Sequence, residues 1–260
     1  MKDLKNIILE SLLDDEGSIT KDFEETSIKK FLKDNYWGVF SIEKQNGKYI
    51  VNSSSDVELV NDLIPELTDG SFEFGKIHGY FDVSYSLELT TLKGAPKEVG
   101  GYFSCGDSPK LTSLEGGPEK VGSYFNAYGC ENLKSLKGAP IEVGDGFLCG
   151  KTNIKDLKGS PKRVGGNFNC SECNLLKSLE GMPETIHKSL SVSMCKNLTS
   201  LKGVAKIVKG NFNCILNKKL KSLRHAPTEV GGSFDCAGCG GEFTDADVCQ
   251  YSWVEGKINC

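Results

Sequence analysis

At 260 residues the chain is long enough for one elongated domain or two compact ones, and either buries a substantial core. Its formal charge of −4 comes from interspersed acids and bases, which excludes a sustained basic surface and with it a nucleic-acid partner. No stretch is long and apolar enough to span a bilayer, and acids interrupt MKDLKNIILESLLDDEG before a signal-peptide core forms, so a cytoplasmic protein without a membrane partner is expected.

In chain order, helices are predicted near 3–14 and 20–34, the second with Phe23, Ile28, Phe31 and Leu32 facing inward. The crowded acids Asp14, Asp15 and Glu16 lack the spacing of a calcium loop and read as a solvated helix end. FSIEKQNGKYIV follows as a hairpin turning at Asn46-Gly47, a dipeptide that accepts the positive φ angles of a two-residue turn. Residues 1–54 thus make a small α+β N-terminal capping module. Val57 and Leu59 read as a degenerate first strand of what comes next.

From residue 55 to 242 the chain is a repeat. An apolar series runs through Phe81, Phe103, Phe125, Phe147, Phe168, Leu190, Phe212 and Phe234, spaced by 22 residues and once by 21. Two residues after each stands a small apolar group or Cys: Val83, Cys105, Ala127, Cys149, Cys170, Val192, Cys214 and Cys236. Cys behaves there as a small hydrophobe. Five residues after come Ser86, Ser108, Cys130, Thr152, Cys173, Cys195, Asn217 and Cys239, all small groups able to hydrogen-bond to backbone. A Leu pair such as Leu176/Leu179, then Gly-x-Pro, then Val or Ile completes each unit. Alternation in G-x-F-x-C puts Phe and Cys on one face of a short, half-buried strand. One unit cannot bury that surface alone, so the predicted fold is a mainly β repeat solenoid with parallel strands about 4.8 Å apart and few helices. Ala205 at the Pro slot, Lys188 at a Gly slot and Leu190 for Phe mark a locally altered turn.

The F-x-C-x-x-[N/C/S/T]-x-(x)-L pattern resembles the L-x-L-x-x-N-x-L core of leucine-rich repeats, and the 21-residue unit keeps that spacing from Phe147 to Ile154 without insertion. Units reading LxSLxGxPxxVGxxFxC look more closely like the leucine-rich-repeat-like proteins of tailed phages and gut-bacterial mobile elements, over roughly residues 55–260. That resemblance implies a binding scaffold and no particular activity. The first segment also resembles the targeting peptides of some tailed-phage internal head proteins, with Ile8-Leu9-Glu10 fitting the apolar-x-Glu pattern that their maturation proteases prefer.

After Cys239, residues 243–260 read as a C-terminal cap: Thr244 caps a short helix begun by Asp245 and Asp247, and Val254, Gly256, Ile258 and Cys260 recover the repeat spacing in a closing strand. The Cys170/Cys173 and Cys236/Cys239 pairs have zinc-like spacing but stand three repeats apart, about 14 Å, which Zn–S bonds of about 2.3 Å cannot bridge. With eleven Cys, an odd number, and no export signal, reduced packing thiols are expected, together with an adventitious Cys149–Cys170 disulfide on oxidation. His78, His187 and His225 are too scattered to ligate together, and no catalytic constellation, metal site or cofactor is predicted.

Outward strand positions have no packing duty, so their composition reports function. They present Tyr80, Tyr102, Tyr124 and Tyr128 in the early repeats, then Asn126, Asn167, Asn169, Asn211, Asn213 and Asp235. Tyr suits protein interfaces because it offers rigid contact area with a hydrogen-bonding tip; the structural alternative is that Tyr merely suits strands and that Asn ladders stabilise the sheet edge-on. Tyr80, Tyr102, Tyr124, Tyr128, Asn126, Asn169 and Asn213 are therefore the expected contact residues of a non-enzymatic protein-binding scaffold, which the resemblance extends to a phage product acting on a host protein. A structural or internal virion component and a glycan-binding solenoid stand as the alternatives, although a small molecule or glycan is not the expected partner.

Overall fold

The computed structural model describes residues 21–61 and 66–260, and within them the repeat is a parallel β-solenoid of about nine turns with two helices. The helix expected over 3–14, Ile8–Glu10, the acids at 14–16 and the side chain of Phe23 lie outside the described residues. Helix α1 (Lys21–Asn35) lays Ile28 and Leu32, both buried, against a hairpin of β1 (Tyr36–Gln45) and β2 (Lys48–Leu59). Asn46 and Gly47 make its turn at φ 50° and 83°.

Strand β2 seeds the whole array. Its first half pairs in parallel with β3 (Phe72–Ile77) through Tyr49, Ile50 and Val51, and its second half, Val57–Glu58, pairs with Phe81–Asp82. The degenerate first strand expected at Val57 is thus the far end of a strand that begins nine residues earlier, at Lys48. From β2 two ladders run along the solenoid. One stacks the Phe strands from Phe81–Asp82 to Ile258–Asn259; the other stacks the Val strands in two runs, Glu98–Val99 to Arg163–Val164 and Thr185–Ile186 to Trp253–Val254. Every ladder pair is parallel and keeps equivalent residues side by side, as in Phe103↔Phe125 and Val121↔Val143.

The interior follows the slots legible in the sequence. Each Phe of the series, Leu190, and both members of every Leu pair are buried. Phe81, Phe103, Phe125 and Phe147 stack nearly parallel, with centroids 5.4–5.7 Å apart. Beyond them Leu190 interrupts the row: Phe147 and Phe168 tilt by 47°, and Phe212 meets Phe234 edge-on at 78°. At the front, Tyr36 and Phe74 pack on Phe81 with centroids 6.0 and 5.1 Å away, so the N-terminal aromatic cluster continues the Phe row and covers its first ring. At the far end Thr244 and Asp247 form a reciprocal capping box on helix α2 (Asp245–Cys249), which buries Val248.

A third regularity escaped the sequence pattern. The residue four after each Phe has left-handed φ in eight successive turns, from Tyr85 at 58° through Met194 at 55° and Leu216 at 59° to Gly238 at 66°. Six of the eight are not Gly. Each of the first seven instead donates its N–H to the next turn, as Tyr85 does to Gly106 O at 2.9 Å and Leu216 to Ala237 O at 2.9 Å. The chain bends while its donor stays in the ladder, and that bond offsets the strain of about 1–2 kcal/mol for a side chain in this region.

The altered turn expected near Lys188 and Leu190 coincides with a break in the sheet. The Val ladder breaks between Arg163–Val164 and Thr185–Ile186, leaving a separate four-stranded sheet. At Gly165, in the slot after Val, an added Cβ would sit 2.1 Å from Gly144 O of the preceding turn. His187 occupies that slot in the next turn, where the ladder parts; Lys209 and Glu255 also carry a Cβ in that slot yet stay paired, so the Cβ alone does not account for the break. The Phe ladder continues across the gap through Phe168↔Leu190.

Two stability predictions arise from these slots. Phe168→Ala removes a ring buried between two turns and lowers stability by about 3–5 kcal/mol in urea unfolding; an unchanged midpoint would refute the assigned register. His225 holds φ 71° where Gly94 to Gly203 hold 88–102° in the Gly-x-Pro slot. His225→Gly therefore raises stability by about 1 kcal/mol on the same measurement.

Candidate binding face

The fifth-position slot explains why Ser, Thr, Cys and Asn interchange. Its side chains point inward, where a donor meets the carbonyls left over at the bend after each Phe strand. Ser86 Oγ donates to Val83 O at 2.7 Å and Thr152 Oγ1 to Cys149 O at 2.8 Å. Cys130 Sγ reaches back to Cys105 O of the preceding turn at 3.1 Å, and Cys195 Sγ to Cys170 O at 3.4 Å. Asn217 does both, donating through Nδ2 to Cys214 O at 2.7 Å and to Val192 O at 3.0 Å. Burial pushes the Cys195 thiol up to about 12, and likewise raises Cys149 and Cys170, so these sulfurs remain protonated donors rather than nucleophiles. The Cys-Ser-Glu-Cys at 170–173 divides the same way: both thiols are buried, and Cys173 Sγ donates to Cys149 O at 3.3 Å.

With Phe and Cys turned in, the alternate residues form the outer face. Tyr80, Tyr102 and Tyr124 are half-buried and stack in a row, with centroids 4.5 and 4.7 Å apart and planes within 9°. The row is enforced by register, since each Tyr precedes a Phe paired to its counterpart. Tyr102 Oη donates to Asp82 at 3.3 Å. Burial raises all three phenols, and Asp82 raises each further, joined at Tyr80 by Asp56 and Glu58. The stripe is therefore aromatic with an acidic border.

It ends at Gly146, which holds the next position in the row. A Cβ there would meet only Asn167 O at 3.6 Å and Tyr124 Cβ at 3.7 Å, both ordinary contacts, and φ lies outside the left-handed region. Neither backbone nor space demands Gly at this point. Gly150 differs, because an added Cβ would lie 2.9 Å from the Tyr128 ring. Tyr128 lies across Gly150 and donates to Glu172 Oε1, two turns on, at 2.7 Å. It is pinned along the face rather than standing beside the row.

The Asn residues carry a structural duty, but at the bend within their own turn rather than as a ladder stabilising the sheet edge-on. Asn126, Asn169 and Asn213 each accept through Oδ1 from the N–H two residues on, at 2.9, 2.9 and 3.1 Å, and so hold the bend after their strand. Asp82 and Asp235 do the same at 2.9 and 3.1 Å. Asp82 and Glu172 had gone unremarked in the sequence. The visible signal was positional, since Asp82 shares its slot with those Asn, while Glu172 needed the fold to bring it to Tyr128. Elsewhere, a recess of about 630 Å³ between α1 and β1 is lined by Glu25, Lys29, Lys33, Tyr36, Trp37 and Phe40 among others. Among the described residues no helix is long and apolar enough to cross a membrane, and no three His, Cys, Asp or Glu side chains converge as a metal site.

The Tyr128–Glu172 bond can be read by titration. Acceptance by Glu172, with burial second, raises the Tyr128 phenol from 10.0 to about 12. Its native pKa exceeds the unfolded one, so the stability it contributes is present below the ordinary phenol range and is lost as pH rises toward about 12. In Glu172→Gln, ultraviolet-monitored titration shows one phenol ionising at lower pH than in the parent; identical curves would remove the bond from the folded state. Comparison of the chain with family models, curated proteins and solved structures returns no match.

Proposed function

We propose that this solenoid is a non-enzymatic scaffold that binds another protein through the Tyr stripe, as a leucine-rich-repeat-like protein of a tailed phage or gut-bacterial mobile element acting on a host protein in the cytoplasm. The observation that carries the reading is the row Tyr80, Tyr102 and Tyr124, half-exposed, stacked with parallel rings and held by the ladder register. Rings already stacked on one another lose little rotamer freedom on contact, which is the condition for an economical anchor. The border of Asp56, Glu58 and Asp82 favours a partner segment bearing Lys or Arg over an acidic one. Asn169 and Asn213 contribute amide hydrogens at the margin, since their oxygens already hold the backbone, and Asn126 does so with the hydrogen left after Nδ2 donates to Ser104 Oγ at 3.2 Å.

The test separates contact from folding. With a partner captured from bacterial lysate on the parent protein, Tyr124→Ala weakens binding by about 2 kcal/mol or more, and Asn169→Ala by less. Gly146→Tyr adds a fourth ring in open space, keeps the thermal midpoint and alters affinity. Tyr variants that bind normally but melt early would make the stripe a packing feature and move the function to another surface.

A further inference from the structure

Thiols recur in the slot two residues after Phe, so parallel pairing sets some of them side by side along the ladder. Adjacent strands lie about 4.8 Å apart, within the Cα range of a disulfide. Most such neighbours are turned apart. Cys149 and Cys170 are both fully buried, and Cys170 Sγ points to Ser191 O at 3.7 Å. Cys214 has Cys236 beside it in the next turn, but its thiol meets Cys239, whose Sγ donates to Cys214 O at 3.1 Å.

Cys236 and Cys260 differ. The pairs Phe234↔Ile258 and Asp235↔Asn259 put them next in register, and Cys236 N–H donates to Asn259 O at 2.8 Å. Their sulfurs lie 3.0 Å apart. Cys236 is 2 % exposed, whereas Cys260 is open to solvent, so the pair joins a protected sulfur to one that a reagent can reach. Among the described residues the Ile258–Asn259 strand has a ladder neighbour on one side only.

We propose that Cys236 and Cys260 are a site of reversible oxidative modification, closing by exchange with a small-molecule disulfide into a bridge that staples the Ile258–Asn259 strand to the Phe234–Asp235 strand. The chemistry balances in two exchanges. Cys260, as thiolate, attacks one sulfur of the reagent, breaking its S–S bond, forming a mixed disulfide and releasing one thiol. Cys236 then gives up its proton and attacks the Cys260 sulfur; the mixed disulfide breaks, the protein bridge forms and the second thiol leaves. The two protein sulfurs are oxidised and the reagent is reduced to two thiols. Burial raises both protein thiols, so the bridge forms slowly at neutral pH and faster as pH rises.

The experiment treats the full chain with glutathione disulfide at mildly alkaline pH. The expected product has lost two hydrogens, and its peptide map links Cys236 to Cys260. Amide exchange across Trp253–Asn259 slows by about tenfold or more, and dithiothreitol reverses it. The exposed thiol of Cys249 stays alkylatable throughout and reports any general oxidation. Cys260→Ser, at an exposed position, keeps the fold and abolishes both the link and the slowing. A Cys260 that stays glutathionylated beside a reduced Cys236, a Cys214–Cys239 link forming first, or exchange that slows equally in Cys260→Ser would each overturn the proposal.

Discussion

Everything in this molecule depends on the parallel ladder that joins each Phe strand to the next. Phe81 N–H donates to Tyr102 O at 2.9 Å, and the same bond recurs at Phe103, Phe125, Phe147 and onward to Phe234. Because the bond joins equivalent positions, any side chain in one turn stands beside its counterpart in the next. A solenoid built this way turns a one-dimensional repeat into rows: Phe and Leu rows inside, a donor row at the bend, a Tyr row outside. Each row then selects residues by a different criterion, which is why one slot admits only apolar bulk while another admits Ser, Cys and Asn alike.

The cysteines illustrate that selection. In the slot two after Phe they fill space beside Val and Ala, and in the slot five after they replace hydroxyl and amide donors. Their raised thiols, with burial the leading cause at Cys149, Cys170 and Cys195, suit both duties and no nucleophilic one. Cys130 and Cys239 depart from this, because a bond from Cys105 and from Cys214 respectively lowers each of them. The abundance of sulfur is thus a property of the repeat, and only where two thiols meet at the solvent edge does it acquire chemistry.

Close approach between turns also limits the array. Gly after Val lets the backbones of many successive turns touch, and between Val164 and Ile186 the Val ladder parts while the Phe ladder continues. The break leaves the interior intact because the Phe side carries the buried rings. A repeat protein tolerates such a fault locally, since each turn contacts only its neighbours.

The solenoid, the Phe strand of each repeat, and the inward and outward assignment of Phe, Leu, Cys and Tyr were legible in the sequence alone, whereas the second ladder was not, because Val reads as a turn and packing position until neighbouring turns pair through it. A repeat of 22 residues with period-two alternation at each Phe leaves one way to bury the apolar slots, so periodicity determines them. The Asn46-Gly47 hairpin and the Thr244 cap were legible for a local reason, their backbone chemistry being complete within a few residues. Left-handed φ at Tyr85, Met194 and Leu216 was not, because no residue preference signals it; the cross-turn hydrogen bond compels it. Nor was the reach of Tyr128 over Gly150 to Glu172, or the meeting of Cys236 with Cys260 rather than with its other neighbour Cys214. Those pairings join residues 44 and 24 positions apart, and side-chain direction, which only the packed turns decide, selects them from the several neighbours that the register allows.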